Sequence, residues 1–309
     1  MTLYLPIAEM SVSVLVYLAL GAAVGFLSGL FGVGGGFLLT PLLMFLGIPP
    51  VVAVATGNAH VVASSVSGAV THHRRNNVDV KMAVVMLAGG LVGTIVGVEM
   101  VRILRKAGLF EITMSLTYVT FLGVIGTLIM IEAVNAWRQV QQAGGAAPTR
   151  RSGRHGFADR LPFKMRFPRS KLYISVIPPF VIGMFIAFLS AIMGIGGGFV
   201  LVPAMIYLLR MPTAVVAGTS LLQIVFVAAL ATILHAVQNK TVDVVLALLL
   251  IVGGVIGAQF GTIASERLRA EQLRILLAAL ILMVAVRMAY DLVITPGDVY
   301  SLGSALGGA

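Results

Sequence analysis

The sequence predicts an all-α integral membrane protein with two homologous repeats, and two observations carry this prediction. Of its 309 residues, 59% are hydrophobic and 10% are charged, whereas a soluble domain carries roughly 25% charged residues. The apolar residues form runs long enough for transmembrane helices, without the ten-residue alternation of a membrane barrel. One glycine-rich stretch also occurs twice, once in each half of the chain.

The repeated stretch reads GVGGGFLLTP at residues 32–41 and GIGGGFVLVP at residues 194–203. Three consecutive glycines are unfavourable in a helix, because each costs about 0.8–1 kcal/mol relative to alanine. Each copy therefore predicts a broken helix. Two broken helices at matching places in two repeats indicate a transporter binding site.

Each half is predicted to contain five helical segments. In the first half they cover residues 11–31, 36–47, 50–71, 82–104 and 109–137, and in the second 172–193, 198–209, 213–237, 242–264 and 273–294. The second segment of each half covers only about 18 Å of a hydrocarbon core of about 30 Å. The prediction is eight full spans plus two short helices that are broken or re-entrant.

Three parts of the chain follow from this division. Residues 1–137 form an N-terminal transmembrane repeat, residues 138–171 a basic linker, and residues 172–309 a C-terminal transmembrane repeat. The linker holds nine Lys or Arg and one acid, Asp159. The positive-inside rule places it in the cytoplasm, and the net charge of +10 is assigned to such loops rather than to nucleic-acid binding.

The number of crossings decides how the repeats are related. If the short helices cross the membrane, five crossings per half make the repeats inverted and put both termini outside. If they are re-entrant, four crossings make the repeats parallel. The five-plus-five count leaves more Lys and Arg inside and is the favoured prediction.

The glycines before the short helices are candidate ligands for an anion. A helix N-terminus carries unpaired N–H groups and a partial positive charge of about half a unit, and glycine leaves these groups accessible. No Lys or Arg lies near either motif. The alternative is that the glycines only permit close helix crossings. The predicted substrate-binding glycines are Gly34, Gly35, Gly36, Gly196, Gly197 and Gly198.

Polar side chains of the third segment in each half are the remaining candidates. Such residues in membrane helices are often functional, although Ser and Thr also bond their own backbone. His60 is either a carrier of a coupling proton or a neutral, packed histidine. The predicted residues are Asn58, His60, Thr219, Ser220 and Gln223.

Paired copies of G-[VI]-G-G-G-F-x-L-x-P, one per half, resemble the TauE/SafE family of sulfite-exporter-type membrane transporters. The resemblance covers nearly the whole chain, although the linker is longer than the core requires. It implies export or uptake of small anions, in the first place sulfur-containing ones such as sulfite, sulfoacetate or another sulfonate, and also other organic anions. The expected protein is a secondary anion transporter in the plasma or inner membrane.

Other classes of function are weighed against this one. An anion-selective channel with the same architecture is the nearest alternative, and an intramembrane enzyme is a weaker one, since neither Gly-x-Ser-Gly nor His-Glu-x-x-His occurs. No nucleotide-binding loop G-x-x-x-x-G-K-[ST] occurs. With no cysteines, we expect no thiol chemistry, and no metal, cofactor or catalytic residue. The expected partners are a small anion, a coupling proton or cation, and the lipid bilayer.

Overall fold

A computed structural model of the chain describes residues 2–31, 34–74, 76–142, 162–170, 172–265 and 270–293. Within these residues the first half contains α1 (Val14–Phe31), α2 (Gly36–Phe45), α3 (Pro50–Arg74), α4 (Val80–Lys106) and α5 (Phe110–Gln142). The second half contains α6 (Ile177–Met193), α7 (Gly198–Tyr207), α8 (Thr213–Leu234), α9 (Val244–Ser265) and α10 (Ala270–Val293). A π-helical turn, His235–Asn239, extends α8.

Within the described residues, seven of the eight helices predicted as full spans have the length for one. Seven are long and apolar enough to cross a membrane, and they are α1, α3, α4, α5, α8, α9 and α10. The 17-residue α6 is slightly shorter, and α2 and α7 have ten residues each. The prediction of a multi-pass helical membrane protein with two short helices is confirmed.

Two β-hairpins were not predicted. One pairs β1 (Thr2–Leu5) with β2 (Met10–Ser13), and the other pairs β3 (Lys164–Phe167) with β4 (Leu172–Ser175). The helices predicted from residues 11 and 172 therefore begin later, at Val14 and Ile177. In α6 the delay has a local cause, because Pro178 and Pro179 fit only the first turn of a helix.

The second hairpin shows that the end of the predicted linker packs against the rest of the chain. Helix α5 continues to Gln142, and Phe167 of β3 is fully buried. Arg169 donates from Nη1 to the carbonyl oxygen of Asn76, at 3.0 Å. Residues 143–161 of the predicted linker lie outside the described residues.

Helix contacts come in matching pairs. Helix α1 packs along α9 as α6 packs along α4, α3 contacts α9 as α8 contacts α4, and α2 packs on α3 as α7 packs on α8. Helix α3 also packs against α8, and α5 against α10. This pairing is what two related halves would produce.

Small residues allow the closest of these contacts. A Cβ atom on Gly93 of α4 would overlap the carbonyl oxygen of Met184 in α6, and one on Gly257 of α9 would overlap that of Ala22 in α1. The spacing of glycines at every fourth position in α4 (residues 89, 93 and 97) and in α9 (residues 253, 257 and 261) predicts such contacts, and the structure confirms them.

A buried carboxylate ties each hairpin to the start of a helix. Asp79 caps α4 by accepting from Met82 N–H, and it also accepts from the backbone and hydroxyl of Ser170 in the second hairpin. Asp243 caps α9 in the same way, accepting from the N–H groups of Val245 and Leu246, and from Ile7 in the first hairpin.

An Asp243→Ala protein is expected to lose about 3 kcal/mol or more of stability. Three N–H groups would lose their acceptor, and each buried unpaired donor costs about 1–3 kcal/mol. The measurement is thermal unfolding of the purified protein in detergent. Asp291→Ala is the control, because Asp291 is 40% exposed in its ion pair with Arg287 and such pairs contribute about 0–1 kcal/mol. Equal shifts in the two variants would contradict a structural role for Asp243.

Candidate functional site

The described glycines of each stretch lie in a tight turn between a longer helix and a short one. Helix α1 ends at Phe31 before α2, and α6 ends at Met193 before α7. The φ angles of Gly34, Gly35, Gly196 and Gly197 are 82°, 65°, 72° and 77°. Glycine adopts these left-handed conformations without the steric cost that a side chain adds. The repeated glycines are therefore explained by backbone conformation at the turns.

The two turns touch each other in the interior of the protein. A Cβ atom on Gly36 would overlap the carbonyl group of Ile195. The rings of Phe37 and Phe199, one residue further on, have centroids 5.5 Å apart, and each residue is 1% exposed. The N-termini of α2 and α7 therefore meet at one buried place.

Neither short helix has a side-chain cap at its N-terminus. Val200 and Leu201 donate to the carbonyl oxygen of Gly197, but within the described residues we find no acceptor for the N–H groups of Gly198 and Phe199. Most buried backbone groups in proteins are hydrogen-bonded, and uncapped helix ends usually face water or a ligand. The start of α7 thus presents unused donors.

The first turn differs from the prediction in one respect. The N–H of Gly36 is not free, because it donates to the carbonyl oxygen of Gly34 at 2.8 Å. Leu38 and Leu39 donate to the oxygen of Gly35. Within the described residues, the N–H of Phe37 has no acceptor, so it replaces Gly36 as the available donor of α2.

One face of α3 covers both turns. Val54 lies against Gly194, and Val61 lies against Gly34, Gly36 and Gly196. Asn58 follows Val54 by four residues and precedes Val61 by three, so it belongs to the same face.

Polar atoms on this face lack hydrogen bonds. Asn58 and Ser65 are fully buried, and within the described residues neither amide atom of Asn58 nor the hydroxyl of Ser65 has a partner. Ser65 Oγ lies 3.4 Å from the position that a Cβ atom on Gly34 would occupy. The unpartnered polar groups thus lie beside the uncapped helix ends.

His60 and Gln223 each face a helix of the opposite half. His60 lies against Gly254 of α9, and neither ring nitrogen makes an aligned hydrogen bond within the described residues. Gln223 faces Gly90 of α4, and its Nε2 donates to the carbonyl oxygen of Met86. The structure does not bring these two side chains to the glycine turns.

The other two predicted polar residues have partners. Thr219 Oγ1 accepts from the N–H of Asp79 and donates to the carbonyl oxygen of Val215. Ser220 donates to Ala217 on its own helix. Of the five predicted polar side chains, the structure places Asn58 on the face that covers the turns.

Sequence reasoning missed two side chains that hold the second turn. Tyr118 donates to the carbonyl oxygen of Met193 at 2.6 Å, and Thr40 donates to that of Gly194 at 3.3 Å. The sequence did distinguish Thr40, because it is a polar residue where the other copy of the motif has the apolar Val202. Ser65 was also missed, although it belongs to the polar run of α3.

Lys, Arg, Asp and Glu are almost absent from α1, α2, α3, α6, α7 and α8, the helices around the turns. Helices α1, α2, α6, α7 and α8 contain none, and α3 contains only Arg74 in its last turn. The positive charge that these helices offer at the turns is therefore that of backbone N–H groups and helix dipoles.

Fold and turns together define a multi-pass membrane protein with two broken helices that meet at its centre. The chain belongs to the TauE/SafE sulfite exporter family, whose description, "Sulfite exporter TauE/SafE", it matches over residues 17–288. It is therefore a membrane transporter.

Relatives of known sequence agree with this assignment. A probable membrane transporter protein of Xylella fastidiosa strain 9a5c is 28% identical over 262 residues, 84% of this chain and 88% of that protein. The probable membrane transporter protein YjnA of Bacillus subtilis strain 168 is 27% identical over 279 residues, 90% of this chain and 100% of that protein. Sulfite exporter TauE/SafE family protein 3 of Arabidopsis thaliana is 30% identical over 125 residues, 38% of this chain and 26% of that protein. No solved structure matches the chain significantly.

Proposed function

We propose that this transporter is a secondary carrier of small sulfur-containing anions, such as sulfite, sulfoacetate or another sulfonate. The anion binds where the N-termini of α2 and α7 meet. The observation that carries the proposal is the pair of buried, uncapped helix ends, at Gly36 and Gly198. Unpaired N–H groups and aligned dipoles favour an anion at such ends.

The chemistry of the surrounding helices supports the same class of substrate. A cation at this place would face two positive helix ends without a carboxylate to bind it, because α1, α2, α6, α7 and α8 carry no acid. The family description, which names sulfite export, supports sulfur as the central atom of the anion.

Counter-flow in proteoliposomes tests the proposal. The purified chain is reconstituted with unlabelled sulfite inside, and labelled sulfite is added outside. A carrier accumulates the label transiently and saturates as the outside concentration rises. With the membrane potential clamped, an anion channel, the alternative, lets the label equilibrate without accumulating above its outside concentration. The buried turns support the carrier, since neither turn is open to solvent in this conformation.

An inverted relation between the halves is part of the proposal. Arg105, in the last turn of α4, donates to the carbonyl oxygen of Asn239, at the end of the π-helical turn that extends α8, at 3.0 Å. The two helix ends must then lie on the same side of the membrane. Five crossings per half put both outside, whereas four crossings per half would put them on opposite sides. This contact supports five crossings, with the linker in the cytoplasm.

Two single-cysteine variants in intact cells test this orientation, because the chain has no cysteine of its own. An Ala107→Cys protein, substituted in the exposed turn between α4 and α5, is expected to react with a membrane-impermeant thiol reagent. An Ala147→Cys protein, substituted in the linker, is expected to react only after the cells are permeabilised. The reverse labelling pattern would contradict the proposed orientation in the cell membrane.

A further inference from the structure

We infer that the preferred substrate is a monoanion carrying its own hydrogen-bond donor, which the side-chain oxygen of Asn58 accepts. This inference rests on the proposed function and narrows its substrate class. It favours hydrogensulfite and hydroxyl- or amino-bearing sulfonates over simple alkyl sulfonates and over dianions.

The need for a donor follows from the amide of Asn58. Both amide atoms of this fully buried side chain lack a partner within the described residues. Whichever way the amide is turned, it presents one oxygen, which only accepts, and one nitrogen, which only donates. An anion without hydrogen can satisfy the nitrogen but leaves the oxygen unpaired. A buried acceptor left unpaired costs binding free energy.

The other polar groups considered at the turns do not require a hydrogen-bond donor on the ligand. The N–H groups of Phe37 and Gly198 are donors only, and they match the oxygen atoms of an anion. The hydroxyl of Ser65, beside Gly34, donates or accepts and adapts to either partner. On the face that covers the turns, Asn58 carries the group that discriminates for a hydrogen-bond donor on the ligand.

The preference for a single negative charge follows from the lack of cations. The cost of transferring an ion from water into a medium of low dielectric rises with the square of its charge. Two helix ends supply about half a positive unit each, which matches one negative charge. With no Lys or Arg on α1, α2, α6, α7 or α8, a dianion would be left undercompensated.

The test compares three probes on the purified full chain by calorimetric titration. 2-Hydroxyethanesulfonate and 1-propanesulfonate have equal charge and similar size, and they differ by a hydroxyl in place of a methyl group. Sulfoacetate adds the second charge. We expect 2-hydroxyethanesulfonate to bind at least about tenfold more tightly than either of the others, because a site with a buried acceptor rejects the analogue that lacks the donor.

An Asn58→Leu protein assigns the effect to this side chain. The substitution replaces an unpaired buried amide by an apolar group of similar size, so thermal unfolding without ligand should be unchanged or shifted upward. The preference for 2-hydroxyethanesulfonate over 1-propanesulfonate should fall to about onefold, while 1-propanesulfonate still binds.

Each other outcome has a definite meaning. Equal binding of the two monoanions by the unmodified chain would overturn the donor requirement but leave the anion site intact. A preference that survives in Asn58→Leu would overturn the role of Asn58. Tighter binding of sulfoacetate would overturn the preference for one charge. Binding of none of the probes, nor of sulfite, would overturn the proposed function itself.

Discussion

A Gly93→Leu protein is expected to fail to assemble, which is the largest stability effect that the fold predicts. Even a Cβ atom at this position would overlap the carbonyl oxygen of Met184, and it would lie 2.8 Å from the carbonyl carbon. A flexible side chain can yield, but the backbone of α6 cannot without separating from α4. Overpacking of a core costs about 1–3 kcal/mol where side chains yield, and more where they do not.

The measurement is the yield of monodisperse protein after extraction in detergent, followed by thermal unfolding of what remains. Gly123→Leu is the matched control, since a Cβ atom on Gly123 of α5 would meet nothing within 4 Å. We expect near-normal yield from Gly123→Leu and little folded protein from Gly93→Leu. Comparable yields from both would contradict the close contact of α4 with α6.

A Gly34→Ala protein is expected to fold and to lose at least about 100-fold in anion affinity. The added methyl group has room, with Ser65 Oγ at 3.4 Å and Val61 Cγ1 at 3.7 Å. It would occupy the space between the turn and the polar face of α3, where the anion is proposed to bind. Calorimetric titration with sulfite measures this loss of affinity.

Backbone strain is separated from blockage by a second glycine. Gly34 has a φ of 82° and Gly108 a φ of 70°, so alanine at either position incurs a similar cost of about 1–2 kcal/mol. Gly108 has nothing within 4 Å of its Cβ position. Gly108→Ala should therefore keep its anion affinity, whereas equal affinity in both variants would count against the site.

Gly35 is a poorer choice for this test. A Cβ atom there would lie 2.8 Å from Cβ of Ser28, and φ is 65°. Substitution would disturb the contact of α2 with α1 whether or not an anion binds nearby. Loss of binding in such a variant would not distinguish a binding role from a packing role.

The helices could be predicted from sequence because apolar runs and breakers are local signals. Gly36 and Gly198 begin α2 and α7 as predicted, since consecutive glycines interrupt a helix wherever they occur. The stripes of glycine in α4 and α9 also predicted close contacts. Spacing of four residues places small side chains on one helix face regardless of the partner.

The hairpins could not be predicted in the same way. Met10–Ser13 and Leu172–Ser175 are apolar enough to continue the helices that follow them, and each pairs with a strand of only four residues. Tertiary contacts favour the hairpins over longer helices, because Asp243 accepts from the backbone of Ile7 and Asp79 from that of Ser170. A sequence clue existed in these two acids, because each directly precedes the fourth helix of its half, α4 or α9.

In the candidate site, too, the features that depend on tertiary contacts could not be predicted from the sequence. Helical spacing alone could not decide whether Asn58 or His60 faces the turns, because the two side chains point in directions about 160° apart. The structure resolves this through Val54 and Val61, which contact the turns on the side of Asn58. The sequence likewise could not show that the N–H of Gly36 is occupied, because its acceptor is the carbonyl oxygen of Gly34 in the same turn.

Anomalous diffraction from crystals of the full chain grown with selenite tests the central claim most directly. Hydrogenselenite is the heavier analogue of hydrogensulfite, and it has one charge and one hydroxyl group. We predict a selenium peak between the two turns, with the oxygen atoms of the anion within hydrogen-bond distance of the N–H groups of Phe37 and Gly198 and of Asn58. A peak confined to another part of the membrane interior, in protein shown to exchange selenite, would contradict the account.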